Sequence, residues 1–201
     1  MNIAVLASGS GTNFQAIIDR VKDGYIPAKI AILVSDNKEA YAIKRAEEAG
    51  IETFVLSPKK FKTREEYDSQ IVKKLKEKDI DLVVLAGFMR LISPYFVKAY
   101  KDKILNIHPA LLPSFKGTHG VKDALKYGVK VTGPTCHFVE EELDNGAIIL
   151  QETVSVSSDD TEETLHNKIH KKEYEIYPKA IKLFVEGKIK VEGRKIKIKD
   201  K

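Results

Sequence analysis

Five short apolar runs, at residues 3–7, 29–34, 53–56, 82–86 and 104–107, alternate with stretches of helical periodicity at residues 13–23, 39–49 and 64–78. Few folds accept that alternation. Strands that are apolar throughout are buried on both faces, and helices that cross over between them make neighbouring strands parallel. The first half is therefore α/β: a mostly parallel central sheet covered by helices, the third of which puts Tyr67, Ile71, Val72 and Leu75 on one face. After residue 107 the pattern changes. Pro109, Pro113 and Gly117 interrupt the chain before a short helix over residues 121–127. Two longer strands, 131–139 and 147–156, then flank Asp144-Asn145-Gly146 and read as an antiparallel pair. A last helix opens with a capping box, Thr161 and Thr164 supported by Asp159 and Asp160, and turns Leu165, Ile169, Ile176, Ile181 and Phe184 inward.

Composition narrows the class. Of 201 residues 43% are hydrophobic, enough for a substantial core, which excludes disorder of the whole chain. A single cysteine, Cys136, can neither close an internal bridge nor form a thiolate cage; lying inside a strand run, it reads as core. The apolar runs fall far short of the roughly 18 residues of a membrane span. No basic leader precedes the first strand, so a cytoplasmic location is expected. The formal net charge is +5, and residues 186–201 carry +4 of it: seven Lys or Arg against Glu186, Glu192 and Asp200. A basic tail could touch nucleic acid, but its lysines alternate with Ile189, Val191, Ile196 and Ile198. That period of two predicts a small hairpin with one solvated face, turning at Glu192-Gly193.

Chemistry has four places to reside. Ser8-Gly9-Ser10-Gly11-Thr12-Asn13 follows the first strand and opens the first helix, where backbone N–H groups and the helix end can hold a phosphate. The same residues equally suit a plain glycine turn with Thr12 or Asn13 as helix cap. Phe14 stands where a dinucleotide fingerprint needs its third glycine, and no Walker Gly-Lys-Ser/Thr follows. Asp36, ending the second strand, keeps a nicotinamide enzyme open, although Asp36-Asn37 also suits a cap or turn. Asn106-Ile107-His108-Pro109 ends a buried strand, the edge where open α/β sheets gather ligands; Asn106 and His108 share a face. An amide donor beside an imidazole suits a developing oxyanion and general acid catalysis. A carboxylate from the 140–144 segment could favour the imidazolium, although Asp144 also fits turn chemistry and Glu140, Glu141 and Glu142 a solvated face. His166 and His170 lie one helical turn apart, but Asn167 stands where a zinc-protease motif needs glutamate, so no metal is expected; His170 and Glu173 share a face and could contact a ligand.

Together these segments resemble the phosphoribosylglycinamide formyltransferase family, folate-dependent enzymes of purine synthesis within the wider formyl-folate transferase group. The likeness runs through residues 3–13, Leu85-Ala86-Gly87-Phe88-Met89-Arg90, residues 105–113, His137-Phe138-Val139 ahead of Asp144, and Ile176-Tyr177-Pro178. It implies a single Rossmann-like domain over residues 1–201, a phosphate-binding half up to about residue 100 and a folate and catalytic half beyond it. It implies Asn106, His108 and Asp144 as catalytic residues, with Asp144 holding the imidazole protonated. Gly11, Thr12, Asn13, His170 and Glu173 would bind the ribonucleotide, His170 standing where the family usually carries Gln. Arg64, Met89, Arg90, Leu91, Ile92, Asn106, Glu140, Glu141, Glu142, Leu143 and Asp144 would border 10-formyltetrahydrofolate, the formyl donor. Partners would be small molecules, with no nucleic acid or membrane, acting on a monomer or homodimer. His119 matches a family histidine, Gly120-Val121 departs from the His-rich stretch common there, and the family suggests a cis Leu112-Pro113 bond. Methionyl-tRNA formyltransferase and formyltetrahydrofolate hydrolase share the Asn-x-His…Asp elements, but a chain of this length is expected to lack their additional domains. A non-catalytic nucleotide-binding module is the remaining alternative.

Overall fold

A computed structural model describes residues 1–199; Asp200, counted above with the basic segment, and Lys201 lie outside the described residues. Seven strands form the central sheet in the order β3-β2-β1-β4-β5-β7-β8, and the chain divides into two compact units between Leu105 and Asn106. In the first unit β1 (Asn2–Leu6), β2 (Lys29–Ser35), β3 (Glu52–Val55) and β4 (Leu82–Leu85) are parallel, with β1 central between β2 and β4. Residues 3–7 are wholly buried, as a strand covered on both faces requires.

The helices of this unit are α1 (Thr12–Lys22), α2 (Tyr41–Glu48) and α3 (Arg64–Glu77). Each meets the sheet through the face its periodicity selects: Phe14, Ile17 and Ile18 on α1, Tyr67, Ile71, Val72 and Leu75 on α3. Thr63 caps α3 by accepting the Glu66 N–H, with Glu65 and Glu66 in the first turn complementing the helix dipole. A further helix, α4 (Pro94–Ala99), is too short to show periodicity. Its sequence signal was the cap itself, Ser93 followed by Pro94 at the first helical position. A 3₁₀ turn over Pro58–Lys60 likewise had no periodic signal.

The second unit takes up β5 (Ile104–His108) part-way along, then α5 (Gly120–Tyr127). The two long strands expected at 131–139 and 147–156 are each broken. β6 (Val131–Thr132) pairs with β9 (Val154–Ser155), and β7 (Thr135–Phe138) with β8 (Ile148–Gln151), both antiparallel but in separate sheets. Gly133-Pro134 makes the break. Gly133 lies at φ +148°, and a Cβ there would stand 1.9 Å from the Glu152 carbonyl oxygen. Proline, lacking an N–H, cannot continue the ladder.

The final helix, α6 (Glu162–Val185), begins on the expected capping box and buries Leu165, Ile169, Ile176 and Ile181. Phe184 is only half-buried, its ring 6.2 Å from that of Phe138. The carboxyl-terminal hairpin is β10 (Ile189–Glu192) against β11 (Lys195–Ile198). Its turn is Gly193-Arg194 rather than Glu192-Gly193. Glu192 pairs with Lys195 across the ladder and ion-pairs with Lys190 and Lys197, while Gly193, at φ +60°, takes the left-handed turn position. Among the described residues no helix is long and apolar enough to cross a membrane.

Candidate active site

The end of β5 sets the site. His108 is almost fully buried, and its Nε2 lies 2.8 Å from the Phe115 carbonyl oxygen. A carbonyl only accepts, so Nε2 carries a proton and Nδ1 is left for exchange. Phe115 holds φ +52°, uncommon for a non-glycine residue. Gly120 leaves room for this pair: a Cβ there would stand 3.3 Å from Nε2 and 3.2 Å from the Phe115 oxygen. The chain turns away from His108 through a cis Leu112-Pro113 bond, as the family likeness suggested. Thr135 on β7 braces that turn: its hydroxyl donates to the Ala110 carbonyl (2.7 Å) and accepts the Leu112 N–H (3.1 Å).

Asp144 reaches the same place from the loop between β7 and β8. Its Oδ2 accepts the Gly117 N–H at 2.8 Å and stands 3.5 Å from His108 Nδ1. It is turn residue and site residue at once, since it also adopts φ +48°, a conformation aspartate tolerates. Gly146 lets the loop close; a Cβ there would fall 1.8 Å from the Phe138 carbonyl oxygen. The rest of the acidic segment behaves as its composition predicts, with Glu140, Glu141, Glu142 and Leu143 exposed. Lys116 ties the loop down by donating to Asn145 Oδ1 (3.1 Å) and pairing with Glu142 (3.6 Å).

Asn106 and His108 do share a face, and His137, on β7, completes the group. Asn106 Nδ2 lies 3.2 Å from His137 Nε2, which is 3.7 Å from Asp144 Oδ1. In the sequence His137 stands out only by its spacing ahead of Asp144. Its signal was a histidine within the buried strand Thr135–Phe138. The register shifts at Cys136/His137, where Ile149 is the extra residue of β8, and a bulge of this kind re-aims side chains beside a site. Burial pushes the His137 imidazole below its ordinary range, against the Asp144 charge and the Phe138 carbonyl, so the ring is neutral. The cluster thus offers an amide donor, one imidazole nitrogen able to exchange a proton, and a facing carboxylate.

On α6, His170 Nε2 lies 3.6 Å from Glu173, whose side chain is buried. Burial and the adjacent His166 ring, 3.9 Å away between centroids, lower His170 to about 4. Cys136 is core, as expected, its thiol pushed up by burial and the Glu173 charge.

In the first unit the glycine turn leads into α1 with Gly11 itself as N-cap, at φ +68°. Neither Thr12 nor Asn13 caps the helix; both lie within it, and no side chain caps this end. Gly11 is required twice over, by its φ and because a Cβ would stand 2.8 Å from that of Ala42 on α2. Arg45 of α2 donates to the Ser10 carbonyl (2.9 Å) and to Gln15 Oε1 (3.0 Å), placing a cation beside the turn. The Ser8 hydroxyl accepts the Met89 N–H at 2.9 Å, joining the turn to the 89–92 segment between β4 and α4. There Met89 and Leu91 are exposed, Ile92 is buried, and the Arg90 guanidinium lies over the Tyr67 ring at 5.0 Å. Arg64, the first residue of α3, is exposed. The turn after β2 is made by Asn37, which accepts the Glu39 N–H, whereas Asp36 Oδ1 is buried without a hydrogen-bond partner.

The family model described as formyl transferase matches residues 1–181. Phosphoribosylglycinamide formyltransferase of Bacillus subtilis is 43% identical, over 89% of this chain and 92% of its own length. The Escherichia coli enzyme of that name is 42% identical, over 95% of this chain and 90% of its own. Trifunctional purine biosynthetic protein adenosine-3 of Gallus gallus is 46% identical over 95% of this chain, which spans only 19% of that protein. The crystal structure of glycinamide ribonucleotide transformylase 1 from Symbiobacterium toebii matches with a TM-score of 0.98 at 44% identity, covering 100% of this chain and 94% of that one. A shared fold with this level of identity across both lengths does not favour a dinucleotide-binding reading of Gly9, Gly11 and Asp36, and the chain belongs to the formyl transferase family.

Proposed function

We propose that this chain transfers the formyl group of 10-formyltetrahydrofolate to the glycinamide amine of 5′-phosphoribosylglycinamide, giving formylglycinamide ribonucleotide and tetrahydrofolate in purine synthesis. The observation that carries the reading is the gathering of Asn106, His108 and Asp144 into one partly buried cluster at the end of β5. The amine attacks the formyl carbon, and the carbonyl oxygen becomes an oxyanion. The Asn106 amide N–H and the His108 imidazole stabilise that charge. The carbon–nitrogen bond to the folate then breaks. The proton lost by the amine reaches the departing nitrogen through His108 Nδ1, since Nε2 is committed to Phe115. Asp144, fixed by the Gly117 N–H, supports positive charge on the ring as the proton passes.

Binding falls to the remaining residues. Gly11, Thr12 and Asn13 receive the phosphate at the uncapped end of α1, and His170 and Glu173 meet the ribonucleotide's other polar groups. Arg64, Arg90 and Ile92, with Glu140, Glu141 and Glu142, border the folate; Met89, Leu91 and Leu143 fit that role as large apolar side chains left exposed. The substrates are small molecules, and we place the reaction in the cytoplasm, on a monomer or homodimer. The test is incubation of the purified chain with both substrates and mass detection of the formylated ribonucleotide. Absence of product where the Bacillus subtilis enzyme makes it would overturn the assignment.

A further inference from the structure

We propose that His137 is a positioning residue: its bare Nε2 locks the Asn106 side-chain amide so that nitrogen, not oxygen, faces the reacting carbonyl. This inference rests on the formyl-transfer reading and adds a residue to it.

Three contacts lead to it in order. His137 Nδ1 lies 2.7 Å from the Phe138 carbonyl oxygen. A carbonyl has no proton to give, so Nδ1 must be the donor. With a neutral ring, Nε2 then carries only a lone pair. The group 3.2 Å from that lone pair is Asn106 Nδ2, which can donate to it. The opposite amide orientation would set Oδ1 against Nε2, lone pair to lone pair, at a ring that is itself buried. One N–H of the Asn106 amide is thereby spent on His137, and the second remains for the oxyanion. Without the lock the amide could present its oxygen, which repels a developing negative charge.

The surroundings keep the ring in this state. Its side chain is about 1% exposed. Asp144 Oδ1 faces it at 3.7 Å, beyond hydrogen-bond reach, and the charges of His108 and Lys116 oppose protonation. Burial outweighs the pull of Asp144. The register of β7 against β8 shifts beside this contact, with Ile149 the extra residue on β8.

Two substitutions separate this role from simple packing. In His137→Asn the side chain can still donate to Phe138 but reaches no further, so Asn106 loses its acceptor. In His137→Gln an amide oxygen reaches the Nε2 position and restores it. We expect His137→Asn to lower kcat by about 10-fold or more with KM for both substrates little changed, and His137→Gln to recover most of the turnover. In an Asn106→Ala background His137→Asn should cost nothing further. Equal losses in the two variants, losses that follow the melting temperature, or an undiminished loss in the Asn106→Ala background would overturn the proposal. Independently of activity, ¹⁵N NMR of histidine-labelled protein at neutral pH should show His137 protonated at Nδ1 and bare at Nε2. A protonated Nε2 defeats the lock even in an active enzyme. If the wild-type chain transfers no formyl group, the function falls, while the NMR result still judges the amide lock.

Discussion

The glycine turn after β1 and the cluster at the end of β5 solve opposite problems. The turn is built from backbone: a left-handed Gly11, a helix end that no side chain caps, and Ala42 packed so close that no Cβ fits. Its chemistry depends on conformation and barely on side-chain identity. The cluster is built from side chains that meet from three separate segments, β5, β7 and the 139–147 loop, with backbone groups of Phe115 and Gly117 holding them. A backbone site should thus fail through strain and binding, a side-chain site through turnover.

The strongest test of that contrast is at the cluster. Asn106→Ala and His108→Ala should each lose at least ~10²-fold in kcat, the scale of one oxyanion donor, with little change in melting temperature. Near-normal turnover in either would remove it from the chemistry. At the turn, Gly11→Ala should cost about 2 kcal/mol of stability, through a left-handed alanine and the contact with Ala42, and raise KM for the ribonucleotide more than it lowers kcat. A variant that melts normally and binds normally would mean the turn is not held as tightly as its geometry indicates.

The two regions also differed in how far the sequence disclosed them. The turn could be located from its glycines after an apolar run, and the strands from their length and flanks, because those signals are local. Asn106 and His108 could be paired because a strand places residues two apart on one face. That Asp144 belongs with them could not be derived that way; it came from family likeness, and turn chemistry was a competing account that proved equally true. His137 went unassigned because a lone strand histidine gives no sign of which side chains it will meet across the sheet. The break at Gly133-Pro134 was legible in principle, since proline cannot sit inside a continuous ladder, yet the apolar pattern on both sides masked it. Thr12 and Asn13 have the side chains that suit a cap at this turn, but the left-handed Gly11 takes the cap position and the helix begins at Thr12.

A pH series probes the second unit further. His170 is lowered to about 4 from 6.5, so the folded chain keeps it neutral while the unfolded chain takes up a proton first. Stability is therefore full above about pH 6.5 and declines as pH falls towards 4. Buried neutral His137 contributes with the same sign. His170→Gln should flatten part of this decline, measured as the difference in unfolding midpoint between pH 7 and pH 5. An unchanged slope would show that His170 is not held in its neutral form by the fold.

The smallest effect returns to helix ends. Where α1 begins without a side-chain cap, α6 begins with a full one: Thr161 accepts the Thr164 N–H at 3.2 Å, Thr164 accepts the Thr161 N–H at 2.9 Å, and Asp160 accepts the Thr164 hydroxyl at 2.9 Å. A helix end that serves a ligand must keep its N–H groups available, whereas one that serves only the fold gains by satisfying them. Thr161→Ala should therefore cost about 1 kcal/mol, a fall in melting temperature of roughly 2–4 °C for a chain of this size, with kcat and KM unchanged. Thr12→Ala, lying inside α1 and capping nothing, should leave the melting temperature within about 1 °C. If Thr12→Ala proved the more destabilising of the two, the uncapped end of α1 would have a structural role that its geometry does not reveal, and the division between a backbone-built turn proposed for binding and a side-chain-built cluster proposed for catalysis would fail at its first element.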